Sequence, residues 1–431
     1  MIYSLSIFPF HWNITPWPII ALQCLLTSFV LWLVVRSIVQ KNVFSRFLIV
    51  MLLLSLFTSF SWYGSFVMPD ILGPVLYLAI YLIAFARETI SRVERYALYL
   101  ISWWAIASHL IHLLVAVGLL FLLALAAMFR SHPLRKNVIP AAELASVILL
   151  ALGAQTALNA FLDSQSPGST PRLPYLTAQL VGDGTGRQYL QSHCGETNWE
   201  VCQYSNRLAG SEKYFLWNAN GLWMSATADA KKTISRQDLP LAIAIVRTYP
   251  MEQLELLAAN SWSQFTSFDL EAFARHHVTE KHIGAQMPRM QAQFLESRQE
   301  HEQLPRRLFT SIQYCAVIAS LICLAAVLPW LWRRRPAQLL GLGYITLSAI
   351  ILNALVVGTL SLPTVENQFQ CRVIWLAPLL AVMCVLKWEE SLPGRSFRVS
   401  GSAHSTRDGA SSRASHAVSE PDGWIGALGR K

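Results

Sequence analysis

The stretch YALYLISWWAIASHLIHLLVAVGLLFLLALAAMF, residues 96–129, decides how the chain crosses a membrane. It is much longer than the roughly 20 residues that one helix needs to cross the hydrocarbon core. A single crossing would place Arg95 and Arg130 on opposite sides of the membrane. Two short helices, about 96–109 and 113–129, return both arginines to one side and put His109 and His112 at the turn between them. We therefore predict two spans here.

The composition agrees with a membrane protein. The chain has 431 residues, of which 54% are hydrophobic and only 14% charged, with 15 Trp. This is too apolar for an ordinary soluble domain. The net charge of +9 comes from Lys and Arg in small groups at the ends of apolar runs. No long basic stripe or RNA-binding motif is present, so we predict no nucleic-acid partner and expect membrane lipids around the chain.

The other apolar runs complete a bundle of spans. Together with the two helices above they predict an all-α fold, a polytopic transmembrane helical bundle of about nine spans. The remaining runs lie near residues 18–36, 47–62, 71–86, 139–162, 308–332, 338–361 and 373–388.

The distribution of positive charge predicts the topology. Cytoplasmic loops carry an excess of Lys and Arg, and the short turns at 63–70, 110–112 and 362–371 contain neither. The alternate loops are basic, which predicts an outside N-terminus and an inside C-terminus. The basic residues of these loops are Arg36, Lys41, Arg46, Arg87, Arg92, Arg95, Arg130, Arg135, Lys136, Arg333, Arg334 and Arg335.

Four regions follow from this topology. Residues 1–162 form an N-terminal bundle of about six spans, and 163–307 form a small, mostly helical domain on the outer face. Residues 308–388 supply three more spans. The Ser-, Arg- and Gly-rich tail, 389–431, is predicted to be disordered in the cytoplasm.

Two cysteines are confined to the predicted outer domain. Cys194 and Cys202 are the only cysteines between residues 163 and 307, and the other five lie in or beside spans. An outer domain in an oxidising compartment favours a disulfide between them. Two unpaired thiols are the alternative.

Asp70, His109 and His112 are the first candidate site residues. All three lie at the predicted outer ends of spans, where ionisable side chains are costly and suggest function. Asp70 could instead only cap the helix that begins at Ile71. The two histidines, three residues apart, share a helix face and could hold a lipid phosphate or, with Asp70, a divalent ion. No HExxH or other complete ligand spacing is present, so no metal site is assigned and any cofactor stays open.

Glu366 and Arg372 lie in the turn between the last two predicted spans, within TVENQFQCRVIWLAPLL, residues 364–380. A lone guanidinium at a membrane surface is well suited to binding phosphate. Arg372 could also extend to the interface as a purely structural residue. We predict that both residues contact the substrate.

Two stretches resemble bacterial membrane glycosyltransferases of the GT-C type. Residues 2–36, IYSLSIFPFHWNITPWPIIALQCLLTSFVLWLVVR, resemble the Pro- and Tyr-containing segment that leads into the second span of these enzymes. Residues 365–380, VENQFQCRVIWLAPLL, are similar to their terminal span. The resemblance covers most of the chain through loose patterns.

The resemblance implies transfer of a sugar from a polyprenyl-phosphate carrier to a cell-envelope acceptor. It places the chain in the bacterial inner membrane, with residues 163–307 in the periplasm. Such enzymes carry an acidic residue in the first outer loop, between spans one and two, whereas this chain begins after that point. The expectation is either an additional N-terminal span in the native protein or an acid–base role for Asp70, with Arg372 stabilising the leaving phosphate.

Two other functional classes stay open. A transporter or flippase would carry ionisable or helix-breaking residues near the centres of the spans, and the predicted span centres are almost wholly apolar. A non-catalytic envelope scaffold would use residues 163–307 to bind a partner. The sequence gives no signal for the sugar, the acceptor or the oligomeric state.

Overall fold

The computed structural model describes residues 2–129, 135–165, 172–208, 210–275, 283–285, 287–360 and 369–392. Over these ranges the regular secondary structure is helical and contains no β-strand, which confirms the predicted all-α class. The described residues up to Ser391 belong to one compact unit. Glu366 and most of the predicted tail, from residue 393 onward, lie outside the described residues.

The helices up to residue 165 form a first group along the chain, and those after it form a second. Short 3₁₀ turns connect some of them. The first group is α1 (Ile2–His11), α2 (Trp17–Ile38), α3 (Val43–Phe57), α4 (Phe60–Ser65), α5 (Leu72–Phe85), α6 (Arg92–Ser108), α7 (Leu110–Phe129) and α8 (Arg135–Gln165). The second group is α9 (Tyr175–Asp183), α10 (Thr185–His193), α11 (Glu212–Trp217), α12 (Leu222–Ser225), α13 (Ala228–Thr248), α14 (Pro250–Thr266), α15 (Pro288–Leu295), α16 (Arg306–Arg334), α17 (Ala337–Leu360) and α18 (Leu376–Glu390).

Five described helices are long and apolar enough to cross a membrane. They comprise α2, residues Leu110–Met128 of α7, residues Ile139–Gln165 of α8, α16 and α17. Two further apolar helices, Val43–Phe57 and Pro69–Phe85, are shorter. The chain therefore has the helices of a polytopic membrane protein, while the count of nine spans and the orientation remain predictions.

The 96–129 run forms two helices, as predicted, but the predicted turn at 110–112 is wrong: the break is confined to His109, and His112 lies within α7. α6 ends at Ser108, His109 adopts an extended conformation with φ −149° and ψ 134°, and α7 begins at Leu110. The predicted span at 47–62 is instead broken, because α3 ends at Phe57 and α4 begins only at Phe60. Side chains and backbone from elsewhere satisfy the released polar groups, as hydrocarbon surroundings require. The Ser59 hydroxyl donates to the Cys371 carbonyl at 2.5 Å, and the Ser59 N–H donates to the Gln313 side chain.

Ion pairs collect at the end of the bundle predicted to be cytoplasmic. Arg36 at the end of α2 pairs with Glu94 at the start of α6 at 2.8 Å. Arg87 pairs with the side chain of Glu143, and Arg46 pairs with that of Glu390 at 2.8 Å. The predicted inner loops therefore share one end of the bundle, as the alternation of basic and non-basic loops requires.

Residues 172–249 form a second apolar core, separate from that of the bundle. Leu180, Val181, Leu216, Leu222 and Ile245 are almost completely buried in it. Cys194 and Cys202 form a disulfide beside this core, with their Cα atoms 5.6 Å apart. The chain then returns to the bundle, where Phe268, Leu270 and Phe273 join the apolar core formed by the long helices. We call the described residues between 172 and 249 the helical domain; a cavity lies between it and the bundle.

Candidate functional site: a polar cluster beneath a cavity at the helix break

The break between α6 and α7 exposes polar groups that a continuous helix would have paired. His109 Nδ1 accepts a hydrogen bond from the Ile111 N–H at 3.2 Å, so this imidazole caps the start of α7. His112 Nδ1 lies 3.0 Å from the Ala105 carbonyl. Because a carbonyl only accepts, Nδ1 carries the proton and Nε2 presents a lone pair. His112 is fully buried, and its Nε2 has no hydrogen-bond partner among the described residues.

Asp70 binds Arg372. Its Oδ1 accepts a hydrogen bond from Arg372 Nη1 at 2.6 Å across 302 residues of sequence. Neither the 3₁₀ turn Pro69–Ile71 nor α5 has a side-chain cap, so the alternative that Asp70 serves as a helix cap is wrong. Arg372 has no exposed surface, so the alternative that it extends to the membrane interface is also wrong. A buried charge requires such a partner because removing it from water is costly.

A network of amides holds Arg372 on its other side. Arg372 Nη2 donates to Asn353 Oδ1 at 3.2 Å. Asn353 Nδ2 donates to Gln370 Oε1 at 2.8 Å, and Gln370 Nε2 donates to the Ile350 carbonyl at 3.1 Å. The guanidinium carbon also lies 5.0 Å from the centre of the Phe369 ring, a cation–π distance. We call Asp70, Asn353, Gln370 and Arg372 the polar cluster.

The two histidines lie next to this cluster. Their ring centroids are 5.0 Å apart. Gly73, at the start of α5 and three residues after Asp70, approaches His112 so closely that a Cβ on it would lie 2.9 Å from His112 Nε2. Sequence reasoning placed Asp70, His109, His112 and Arg372 at one level of the membrane, and the structure brings them into one neighbourhood.

A cavity of about 320 Å³ opens at the helix break. Its polar lining comes from Ser108 and His109 of the bundle and from Tyr175 and Glu212 of the helical domain. Ser108 Oγ is buried and has no hydrogen-bond partner among the described residues. Burial, with the nearby charge of Glu212 as a smaller cause, raises the pKa of Tyr175. The full lining is Ser108, His109, Leu110, Ile111, Tyr175, Glu212, Leu360 and Phe369.

Phe369 links the cavity to the polar cluster. Phe369 belongs to the cavity lining, and its ring also contacts the Arg372 guanidinium. Asp70 and Arg372 are not part of that lining. The cavity offers a carboxylate, an imidazole and two hydroxyls, a combination suited to a polar ligand and to acid–base chemistry.

No group of three metal-binding side chains occurs within the part of the chain that the structure describes. Asp70 is committed to Arg372, and His112 Nδ1 to a carbonyl, so these residues do not assemble as a three-residue ligand set. The disulfide between Cys194 and Cys202 lies in the helical domain and does not line the cavity.

Sequence reasoning missed Asn353, Gln370, Tyr175, Glu212 and Ser108. Asn353 had a usable signal, since an amide inside an apolar run must find a partner within the bundle. Gln370 lies in the turn between the last two predicted spans, but we did not predict it as a site residue. The sequence carries no usable signal for Tyr175 and Glu212, because their position depends on how the helical domain folds.

The comparisons with known proteins add no relative. The sequence matches no family model, no curated protein and no solved structure.

Proposed function

We propose that this protein is a GT-C-like glycosyltransferase of the bacterial inner membrane. It would move a sugar from a polyprenyl-phosphate carrier to a cell-envelope acceptor on the periplasmic face, in a bundle of about nine spans with its N-terminus outside. The supporting observation is the cavity at the helix break, where polar groups of the bundle and of the helical domain face one space. A lipid-linked donor needs such a site, because its phosphate and sugar must leave the bilayer while its chain remains within it.

In this proposal the cavity residues contact the substrate. His109 and Ser108 would bind the carrier phosphate, and Glu212 would exchange the proton of the acceptor hydroxyl. A general acid or base must lie within hydrogen-bond reach of the proton it transfers. Asp70 does not line the cavity, so its role becomes the positioning of Arg372, and through Arg372 that of Phe369.

The test is turnover of defined donors. The purified protein, in lipid nanodiscs, is incubated with a panel of polyprenyl-phosphate-linked sugars and envelope acceptors, and release of polyprenyl phosphate is followed by mass spectrometry. Glu212→Gln should lower kcat by about 10²–10⁴-fold, the usual contribution of a general acid or base. Glu196→Gln, at an exposed position of the same domain, is the matched control and should leave kcat unchanged.

Binding provides a second readout. His109→Ala should weaken saturable binding of polyprenyl phosphate, whereas His301→Ala, at an exposed histidine, should not. Unfolding temperatures of all variants show whether a loss of activity is a loss of fold. A protein that neither binds polyprenyl phosphate nor consumes any donor in the panel would contradict the proposed function.

The polar cluster favours a second candidate, transport of a small polar substrate. Ionisable residues enclosed by membrane helices often mark a transport pathway, and Asp70 and Arg372 are enclosed in this way. Proteoliposomes loaded with a small phosphorylated or zwitterionic solute would show uptake that Asp70→Asn abolishes. Equal flux into protein-free liposomes would contradict this candidate.

A further inference from the structure

Helix α14 has the opposite polarity to a helix in a water-soluble domain. Its buried residues are Asn260, Ser261 and Gln264, all polar. Its exposed residues include large apolar side chains, with Met251 66% exposed, Leu254 58%, Trp262 66% and Phe265 37%. A helix facing water on its outer side would have the reverse arrangement.

The exposed apolar residues form one continuous stripe. They follow the chain at intervals of three and four through Ala258, which is also exposed, and this spacing repeats one face of an α-helix. We call Met251, Leu254, Ala258, Trp262 and Phe265 the apolar stripe. Trp262 and Phe265 stack with ring centroids 6.1 Å apart, so its C-terminal end is aromatic.

The opposite face of α14 packs against the rest of the protein. Asn260 Nδ2 donates to Asp183 Oδ1 at 3.2 Å, and Gln253 Nε2 donates to Thr185 Oγ1 at 2.5 Å. Ser261 lies against Gly358 near the end of the membrane-length helix α17, where a Cβ on the glycine would lie 2.6 Å from Ser261 Oγ. α14 therefore cannot turn its stripe inward without breaking these contacts.

The contact with Gly358 fixes where the stripe lies. Gly358 is two residues from the end of α17, so Trp262, next to Ser261, lies beside the end of a helix long and apolar enough to cross a membrane. Just beyond α14, Phe268 and Phe273 are buried in the core of the bundle. Tryptophan is enriched at the ends of membrane spans because its ring is apolar and its N–H is polar.

We propose that α14 is an interfacial helix whose apolar stripe lies in the bilayer leaflet at the Leu360 end of α17. The occupant of this surface is lipid. Glu252 and Glu255, both exposed in the first two turns, keep the N-terminal end at the headgroups, and the Trp262–Phe265 end reaches the acyl chains. This proposal does not depend on the chemistry of the cavity.

Photo-crosslinking in lipid nanodiscs tests it. p-Benzoylphenylalanine replaces Leu254 or Trp262 in the full chain, in nanodiscs of phosphatidylethanolamine and phosphatidylglycerol, and mass spectrometry identifies the adducts. Both positions should yield peptides carrying a phospholipid, at a yield comparable to that of Leu321, an exposed residue of the membrane-length helix α16. Glu196, exposed on the helical domain, should yield no lipid adduct.

Two results would overturn the proposal. Adducts between two copies of the chain at Leu254 and Trp262 would make the stripe a subunit interface. Lipid adducts at Leu321 but none at either stripe position would place the stripe in water or against protein. Neither result bears on turnover of lipid-linked sugars, so failure here and failure of the proposed function are distinguishable.

Discussion

Two ion pairs of the bundle have the same chemistry in opposite surroundings. Arg372 and Asp70 approach to 2.6 Å, with side-chain exposures of 0% and 9%. Arg36 and Glu94 approach to 2.8 Å, with exposures of 33% and 20%. The side chains of the first pair are almost shielded from water, so each charge is stabilised by protein groups. Water stabilises part of the charge in the second pair. Distance alone therefore does not rank the two pairs, and loss of one partner should have very different consequences.

Breaking the enclosed pair should have the largest effect. Arg372→Met leaves the Asp70 carboxylate buried without its cation, and Asp70→Asn leaves the guanidinium without its anion. Each should lower the free energy of unfolding by about 3–5 kcal/mol. Denaturant unfolding of the purified protein, followed by tryptophan fluorescence, measures the loss.

The double variant is the control for this prediction. Asp70→Asn combined with Arg372→Met removes both charges and should recover much of the stability lost by either single change, because no unpaired charge remains. Single variants as stable as the parent would show that water reaches the pair. A double variant that regains both stability and sugar transfer would exclude a positioning role for Asp70 and Arg372.

Loss of an amide next to Arg372 should have the second-largest effect on stability. Asn353→Leu removes the acceptor for Nη2 and the donor to Gln370 together, leaving buried polar groups unpaired. We expect a loss of about 1–3 kcal/mol in the same unfolding assay. Thr346→Val, on the same helix, removes a hydroxyl that among the described residues bonds only to backbone of its own helix, and it should cost less. Equal losses for the two variants would mean that Asn353 does not support the guanidinium.

The surroundings of His112 also differ from those of the exposed Arg36–Glu94 pair, because His112 is closely packed. A methyl group on Gly73 would lie 2.9 Å from His112 Nε2, so Gly73→Ala should cost about 1–3 kcal/mol through overpacking. Adding His112→Ala should relieve the contact and restore part of the stability. Gly153→Ala, where a Cβ would meet nothing within 4 Å, is the matched control. An unaffected Gly73→Ala protein would show that the histidine ring moves freely.

The sequence predicted the components of this region better than their pairing. The length of the 96–129 run and its two histidines predicted two helices with a turn at 110–112; the structure confirms two helices but breaks the run at His109. Asp70 and Arg372 were each placed at the outer ends of spans, but local rules offered each a sufficient role as a cap or an interfacial residue. Their bond joins residues 302 positions apart. A single sequence carries no signal for such a contact, and Glu212 was missed for the same reason.

The exposed pair should show the smallest effect. Arg36→Gln should lower the free energy of unfolding by at most about 1 kcal/mol, and added salt should shrink that difference, because both side chains are partly solvated. Glu94 precedes the predicted span, and its hydrogen bond from Arg36 is the main cause that lowers its pKa to about 2, from 4.5. A lowered carboxyl pKa stabilises the fold above the unfolded value, and that contribution disappears as the pH falls through the folded value. The difference between the parent and Arg36→Gln should therefore be constant between about pH 5 and about pH 8. A stability difference that changes within this range would mean that another titrating group, and not Glu94, responds to the loss of Arg36. The contrast between the two ion pairs could then no longer be attributed to solvation alone.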